Sequence, residues 1–156
     1  MNIFRELGVE MGEDRIDEEV IYNIAKVYTL VSNTLAVVLS RHNLSLAKFN
    51  ILLMAKHVGR DKGISQHKLS ELLLVTTSNT TRMIDKLEKE GYVARTSKTG
   101  DRRVRLIKIT REGSDLLDKV WPDYKKKIEE LVGSNLSKAE KEKINEILEK
   151  LKETAK

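Results

Sequence analysis

The feature that most restricts the fold is a pair of short helical patterns separated by only three residues. Ser65 is placed to cap the N-terminus of the first helix, which is expected to run through Leu74. The break Val75-Thr76-Thr77 leads into a second pattern, from about Thr77 to Glu90, which should end at Gly91 as a C-terminal glycine. So tight a break predicts a helix-turn-helix. The residues expected to be buried in the first of these helices are Leu69, Leu72 and Leu73.

Two β-rich runs follow this helix pair. Tyr92 to Thr96 and Val104 to Ile109 flank the polar stretch Ser97 to Arg103, so they predict a hairpin with a basic tip. Ile64 is expected to add a single strand residue. The predicted fold is therefore mainly α with a small β-hairpin wing, a winged helix-turn-helix.

Further helices are expected on either side of this module. A long apolar stripe predicts a first helix from about Asp17 to Arg41, and Ser45 should cap a second helix that ends near Gly59. After the hairpin, Thr110 should cap a helix that Pro122 is expected to kink. A last helix is predicted from a capping box formed by Ser137 and Glu140.

Charge is concentrated in the middle of the chain. The net charge is +5, yet residues 60–111 carry 13 basic and 6 acidic side chains, a local excess of +7. Such an excess favours a polyanion partner, although a merely solvated face would have the same composition. The chain has no cysteine, and its apolar runs are much shorter than the roughly 20 residues of a membrane span. The acidic N-terminus does not resemble a secretory signal, so a cytoplasmic location is expected.

The second helix of the pair has two chemically different sides. Met83, Ile84 and Leu87 are expected to pack inward. The opposite side suits the major groove, because base edges present paired donors and acceptors, although an ordinary amphipathic surface helix would show the same pattern. The candidate DNA-binding residues here are Thr77, Ser78, Asn79, Thr81, Arg82 and Lys86.

The hairpin and the start of the preceding helix supply further candidates. A narrow basic ribbon can enter a minor groove, where negative potential attracts arginine. Asp101 would either orient Arg103 by pairing with it or be a solvated turn charge. The wing candidates are Arg95, Lys98, Asp101, Arg102 and Arg103, and the candidates for contacts to the DNA backbone are Ser65, Gln66, His67 and Lys68.

Three motifs in this region resemble those of the MarR family, the multiple antibiotic resistance regulators. They are Leu87-Glu88-Lys89-Glu90-Gly91-Tyr92-Val93, Gly100-Asp101-Arg102-Arg103 and Ile109-Thr110-Arg111-Glu112-Gly113. The resemblance implies a homodimer that binds a pseudo-palindromic site on double-stranded DNA. The second helix of the pair, which is the fourth predicted helix of the chain, would lie in the major groove and the wing arginine in the minor groove. The resemblance also implies dimerisation helices in residues 1–44 and 112–156 around a DNA-binding domain in residues 45–111.

The leading hypothesis is thus a transcriptional regulator, a repressor of nearby genes that a small aromatic or anionic effector releases. A winged-helix module for RNA or protein binding is the alternative. Tyr28, Trp121 and Tyr124 could line an effector pocket, although aromatics at helical spacing are more often core residues. No cofactor, metal site or enzyme activity is expected, because His42, His57 and His67 lack ligand spacing and the Ser-x-x-Lys motifs at Ser45 and Ser65 fit helix caps better.

Overall fold

The computed structural model describes residues 15–73, 77–98 and 101–154, with the side chains of residues 77, 98 and 101–104 outside that description. The chain divides into two compact units, Met1–Leu46 and Ala47–Lys156. The helices are α1 (Ile16–Ser40), α2 (Leu46–Met54), α3 (Gln66–Leu73), α4 (Thr77–Lys89), α5 (Arg111–Ile128) and α6 (Lys138–Thr154). The strands are β1 (Ile64–Ser65), β2 (Val93–Lys98) and β3 (Asp101–Ile109).

The first unit is dominated by α1, whose predicted bounds are confirmed to within one residue. The helix ends because Asn43 adopts a left-handed backbone with φ of 56°, a conformation that asparagine tolerates. The amide of Leu44 then reaches back to the carbonyl of Leu39 at 3.1 Å, which closes the end of the helix. Leu35, Val38 and Leu39 are buried near this end, whereas the N-terminal part of α1 leaves many large apolar side chains exposed.

The second unit contains the predicted helix pair and hairpin. Its three-stranded antiparallel sheet has the order β1-β3-β2, with Ile64 opposite Ile107 and Val93 opposite Ile109. The sheet lies against a core of fully buried side chains, because the inward-facing residues of the strands and helices are apolar. The largest of them are Phe49, Ile51, Leu52, Leu69, Ile84, Leu87, Ile107 and Val120.

Local caps account for the ends of the elements. Ser65 Oγ accepts the amide hydrogen of Lys68 at 3.2 Å, as predicted for the start of α3. Thr110 Oγ1 accepts the amide hydrogen of Gly113 at 3.1 Å at the start of α5. The capping box before α6 is also confirmed: the Ser137 amide donates to Glu140 Oε2 at 2.8 Å, and the Glu140 amide donates to Ser137 Oγ at 3.3 Å. The Ser137 hydroxyl also donates to Glu140 Oε2 at 2.6 Å, and the hydrogen bonds from this hydroxyl and from the Ser137 amide lower the pKa of the Glu140 carboxyl.

The start of α5 is fastened directly to the end of the hairpin. The Thr110 amide donates to the carbonyl of Tyr92 at 3.1 Å, and the Thr110 hydroxyl donates to the carbonyl of Gly91 at 2.7 Å. Gly113 allows this approach, because a Cβ placed there would overlap the carbonyl oxygen of Tyr92 and come within 3.0 Å of Ile109 Cγ1. The glycine of the Thr-x-x-Gly motif is therefore required by packing.

Several expectations are wrong in detail. Leu72 is 39% exposed, because only Leu69 of the three leucines in α3 points fully inward. The hairpin strands extend into the stretch predicted as a loop, since Lys98 already pairs with Asp101 across a register shift at Ser97 and Lys98. In addition, α2 continues directly into a π-helical turn at Ala55–Gly59, and α5 continues into another at Glu129–Gly133.

Two other expectations are tested only in part by the described residues. Helix α5 runs through Pro122 without ending there. The predicted break before α4, and Leu74 at the end of the helix before it, lie outside the described residues except for Thr77, where α4 begins. Among the described helices, none combines the length and apolar character that crossing a bilayer requires.

Candidate nucleic-acid interface

Helix α4, which we call the reading helix, has one buried and one exposed side. Thr80, Ile84 and Leu87 are completely buried and follow one another at four- and three-residue steps, so they share the inner face. Gly91, with φ of 79°, ends the helix, and the Tyr92 amide donates back to the carbonyl of Leu87 at 2.9 Å. The exposed residues on the opposite side are Ser78, Asn79, Arg82, Lys86 and Lys89.

A cleft of 310 Å³ lies along this exposed side. Ala47 of α2 forms one wall, and the reading helix contributes Asn79, Arg82, Met83 and Lys86. Met83 is half-buried here, so it lines the cleft, whereas the sequence predicted that it would pack inward like Ile84. Arg82 and Lys86 are four residues apart and therefore lie one above the other on the helix, which concentrates positive charge at the cleft.

The start of α3 is connected to the reading helix. Gln66 Nε2 donates to Thr81 Oγ1 at 2.5 Å, so these two predicted DNA-binding side chains contact each other. His67 Nε2 lies 3.0 Å from a carboxylate oxygen of Glu71, and Lys68 Nζ lies 2.9 Å from the other. The hydrogen bond from Lys68 is the largest of the effects that lower the pKa of the Glu71 carboxyl. Ser65 is the cap described above.

Arg95 lies on β2 but its side chain turns to the reading helix. Nη2 of its guanidinium pairs with Asp85, and Nη1 pairs with Glu88. The Arg95 amide also donates to Glu88 Oε1 at 3.0 Å. Burial would lower the pKa of Arg95, but the hydrogen bonds that its guanidinium donates to Asp85 and Glu88 outweigh this effect, so the pKa is raised. Arg95 is partly buried, with 19% of its side chain exposed, and the groove contact expected for it from the sequence stays a prediction.

The remaining wing candidates can be placed only by their backbone. The wing consists of β2 and β3, and Lys98, Asp101, Arg102 and Arg103 all lie in these strands. Their side chains are outside the described part of the structure, as is that of Thr77, so the predicted pairing of Asp101 with Arg103 stays a prediction. Arg105, further along β3, is exposed.

Two of the three aromatic residues proposed for an effector pocket lie close together. The ring centroids of Trp121 and Tyr124 are 5.9 Å apart, and the Tyr124 ring also packs against that of Phe49, with centroids 4.5 Å apart and the planes tilted by 43°. Burial raises the pKa of the Tyr124 hydroxyl. Tyr28 belongs to the first unit, where it is exposed.

The sequence analysis missed Asp85 and Glu88 as functional residues. Their signal was present in the sequence: two carboxylates three residues apart precede an arginine on the next strand, a spacing that allows one guanidinium to bind both. The described residues contain no group of three side chains that could hold a metal ion.

Several known proteins are similar to this chain in sequence. Residues 44–104 match the family model described as MarR family. HTH-type transcriptional regulator MhqR of Bacillus subtilis (strain 168) is 29% identical over 128 residues, which are 82% of this chain and 86% of that protein. HTH-type transcriptional regulator PecS of Dickeya dadantii (strain 3937) is 31% identical over 105 residues, 67% of this chain and 63% of that protein.

Solved structures share the fold. The transcriptional regulator BldR of Sulfolobus solfataricus superposes with a TM-score of 0.75 at 27% identity, over 90% of this chain and 99% of that chain. A mutant MarR from E. coli, complexed with operator DNA, gives a TM-score of 0.78 at 23% identity over 90% and 99%. CouR from Rhodococcus jostii RHA1, bound to p-coumaroyl-CoA, gives 0.78 at 19% identity over 89% and 95%. The matched domain, the relatives and the shared architecture agree with the motifs in the sequence, and the chain belongs to the MarR family.

Proposed function

We propose that this protein is a homodimeric transcriptional regulator that binds a pseudo-palindromic site on double-stranded DNA. The observation that carries this proposal is the reading helix, whose inner face is fully buried while Asn79, Arg82 and Lys86 are exposed beside a cleft. A helix fixed by one face can present the other to a major groove, where Asn and Arg read base edges and Lys neutralises phosphate. Relatives named as transcriptional regulators and the operator complex of a structural neighbour support the same function.

The second part of the proposal is the dimer. Helix α1 exposes a series of large apolar residues, and α6 exposes another. Exposed apolar residues in such number on a helix mark an interface, because water is a poor solvent for them. A second copy related by a two-fold axis would cover it and set two reading helices about 34 Å apart, one turn of DNA. The exposed residues include Ile21, Ile24, Val27 and Tyr28 on α1 and Ile144, Ile147 and Leu148 on α6.

The third part is regulation by a small molecule. In the aromatic cluster of Phe49, Trp121 and Tyr124, Phe49 is fully buried, while Trp121 and Tyr124 are accessible and offer apolar ring faces that suit an aromatic effector. Such a ligand must bind the DNA-incompetent arrangement more tightly than the competent one, because equal affinity for both shifts nothing. We infer that the protein represses genes in the cytoplasm until this ligand releases it.

Selection of bound duplexes from a random pool tests the DNA-binding function. We expect a two-fold symmetric consensus, an affinity for it about a thousandfold or more above that for random duplex, and a steep fall in affinity as salt rises. Equal affinity for any duplex, or for single strands, would contradict the proposal and favour the RNA-binding or protein-interaction module instead.

Single substitutions assign the proposed roles on the selected duplex. Lys86→Ala should weaken binding to all sequences similarly and reduce the salt slope by about one, as expected for a phosphate contact. Lys150→Ala, at an exposed position on α6, is the matched control and should leave both unchanged. Arg103→Ala should cost about 1–3 kcal/mol. Asp101→Ala should also weaken binding, and tighter binding would mean that Asp101 does not orient Arg103.

Trp121 is the only tryptophan in the chain, so it provides a direct signal for effector binding. Aromatic carboxylic acids can be screened for release of the selected duplex and for a change in Trp121 fluorescence. We expect the two effects to share one concentration dependence. Release of DNA without any change in fluorescence would place the effector site away from the aromatic cluster.

A further inference from the structure

Arg95, Asp85 and Glu88 form a clamp between the wing and the reading helix. One guanidinium nitrogen pairs with each carboxylate, and the backbone amide of Arg95 donates a further bond to Glu88 at 3.0 Å. Glu88 therefore accepts from both the main chain and the side chain of Arg95. Asp85 and Glu88 are three residues apart and lie on the same face of the helix, so the two contacts fix a direction as well as a distance.

We propose that Arg95 is a positioning residue, which holds the wing at a fixed angle to the reading helix through Asp85 and Glu88 and acts on DNA only through that angle. The inference rests on the proposed function and deepens it. It replaces the groove contact that the charge pattern of the sequence suggested for Arg95.

Arginine suits this task better than lysine. Its planar guanidinium presents donors in a rigid fork, so it can hold two carboxylates at once without changing conformation. A lysine at position 95 would keep the charge, but its single ammonium group would have to choose between Asp85 and Glu88 or lie between them at longer distance. The substitution Arg95→Lys therefore removes the geometry of the clamp and keeps the charge.

A small rotation at the clamp would displace the far end of the wing by a much larger distance than it displaces Arg95 itself. Lys98, the last residue of β2, lies three residues beyond Arg95, which corresponds to about 10 Å of extended strand. A rotation of about 15° at the clamp would move that end of the wing by about 2–3 Å over this length of strand. Because a hydrogen bond to a base or phosphate tolerates only a few tenths of an ångström, so small a rotation separates a wing that fits the minor groove from one that does not.

The same side chain also controls charge on the reading helix. Without the guanidinium, two carboxylates one turn apart would stand next to the cationic residues Arg82 and Lys86, and they would repel the phosphates that these cations attract. Because the guanidinium offsets the charge of these carboxylates, the reading helix can carry the acidic residues that hold the wing and still attract phosphates.

The test compares Arg95→Lys with the unchanged protein and with the matched control Arg111→Lys, whose arginine is highly exposed at the start of α5. Affinity is measured for the selected duplex and for a random duplex as a function of salt. We expect Arg95→Lys to lower the ratio of specific to non-specific affinity about tenfold or more, with the salt slope unchanged, and Arg111→Lys to leave the ratio unchanged. A phosphate contact by Arg95 would leave both the ratio and the slope unchanged, because lysine keeps the charge, and an unchanged ratio overturns the proposal. A base contact by Arg95 would lower the ratio as the clamp does, and the second variant below separates these two roles.

A second variant keeps the test informative if Arg95→Lys lowers stability. Glu88→Gln removes the carboxylate that Arg95 binds twice. If Arg95 acts as a clamp, Glu88→Gln lowers the ratio of specific to non-specific affinity, because the wing is held less firmly. If Arg95 instead contacted DNA, Glu88→Gln would free its guanidinium and raise the ratio. The opposite signs separate the two roles, and all titrations are done well below the melting temperature of each variant.

The angle itself can be measured without DNA. The chain has no cysteine, so cysteines introduced at the exposed positions Ser97 and Lys89 take nitroxide labels at those two sites alone. Labelled protein diluted with excess unlabelled protein reports the distance within one protomer. We expect a narrow distribution that broadens in Arg95→Lys, and an unchanged distribution refutes the clamp. If the unchanged protein binds every duplex equally, the proposed function fails, while this measurement still decides whether the clamp exists.

Discussion

Replacement of Gly113 by alanine should destabilise the protein far more than its position on a helix suggests. A Cβ at this position overlaps the carbonyl oxygen of Tyr92 and approaches Ile109 Cγ1 and the Tyr92 carbonyl carbon to 3.0 Å. The first turn of α5 must therefore move away from the end of the hairpin. That movement breaks the two bonds from Thr110 to the carbonyls of Tyr92 and Gly91, at 3.1 and 2.7 Å, and strains the cap bond to Gly113.

The magnitude follows from these contacts. Each lost hydrogen bond costs about 1 kcal/mol and the weakened cap about another 1 kcal/mol. Alanine returns up to about 1 kcal/mol through its better helix propensity and the smaller entropy of the unfolded chain. We therefore expect Gly113→Ala to lower the free energy of unfolding by about 2–3 kcal/mol, a change of roughly 30- to 150-fold in the unfolding equilibrium.

Urea unfolding followed by far-ultraviolet circular dichroism, at matched protein concentration, measures this change. The control is Gly133→Ala, where a Cβ makes ordinary contacts to the Glu129 side chain, at 3.5 Å to Cβ and 3.8 Å to Cγ. We expect the control to be neutral or slightly stabilising. An unfolding free energy for Gly113→Ala within about 0.5 kcal/mol of the unchanged protein would refute the argument, because the clash would then be relieved at no cost.

Three further outcomes are expected. A double-mutant cycle with Lys48→Ala and Glu90→Ala should give a coupling of about 0.5–1 kcal/mol that salt weakens, because the pair is half-exposed, and zero coupling would contradict the ion pair seen at 2.5 Å. Tyr124→Phe should reduce the loss of stability above about pH 10, since the raised pKa of Tyr124 means that the unfolded chain ionises first; identical titration curves would argue against its burial. Ile21→Glu should shift the dimer to monomers in light scattering, whereas Asn23→Glu on the same helix should not.

Elements governed by local chemistry could be predicted from the sequence. The caps at Ser65, Thr110 and Ser137 and the glycine at Gly91 act on their own neighbours, and each is found where the pattern places it. The hairpin strands were predicted too short because Lys98 and Asp101 are polar. Their pairing depends on the register of the ladder, and polarity does not report that register.

The candidate interface shows the limit of reasoning from charge. Arg95 and Arg82 look alike in the sequence, yet Arg95 is paired with two carboxylates and Arg82 is exposed at a cleft. The difference arises because β2 folds back onto the reading helix, which brings Asp85 and Glu88 to the first arginine. The spacing of the two carboxylates can be seen in the sequence, but the position of β2 against the reading helix decides that Arg95 is the cation that binds them.

The two-residue strand β1 has a consequence for the order of folding. Ile64 pairs with Ile107 and Ser65 with Leu106, so a contact spanning more than forty residues closes a sheet whose other two strands are neighbours along the chain. The entropy of closing so long a loop delays this pairing until the hairpin has formed. We expect the hairpin to fold early and β1 to dock late. In pulse-labelling hydrogen exchange during refolding, protection at Ile64 and Ser65 should therefore appear after protection along β2.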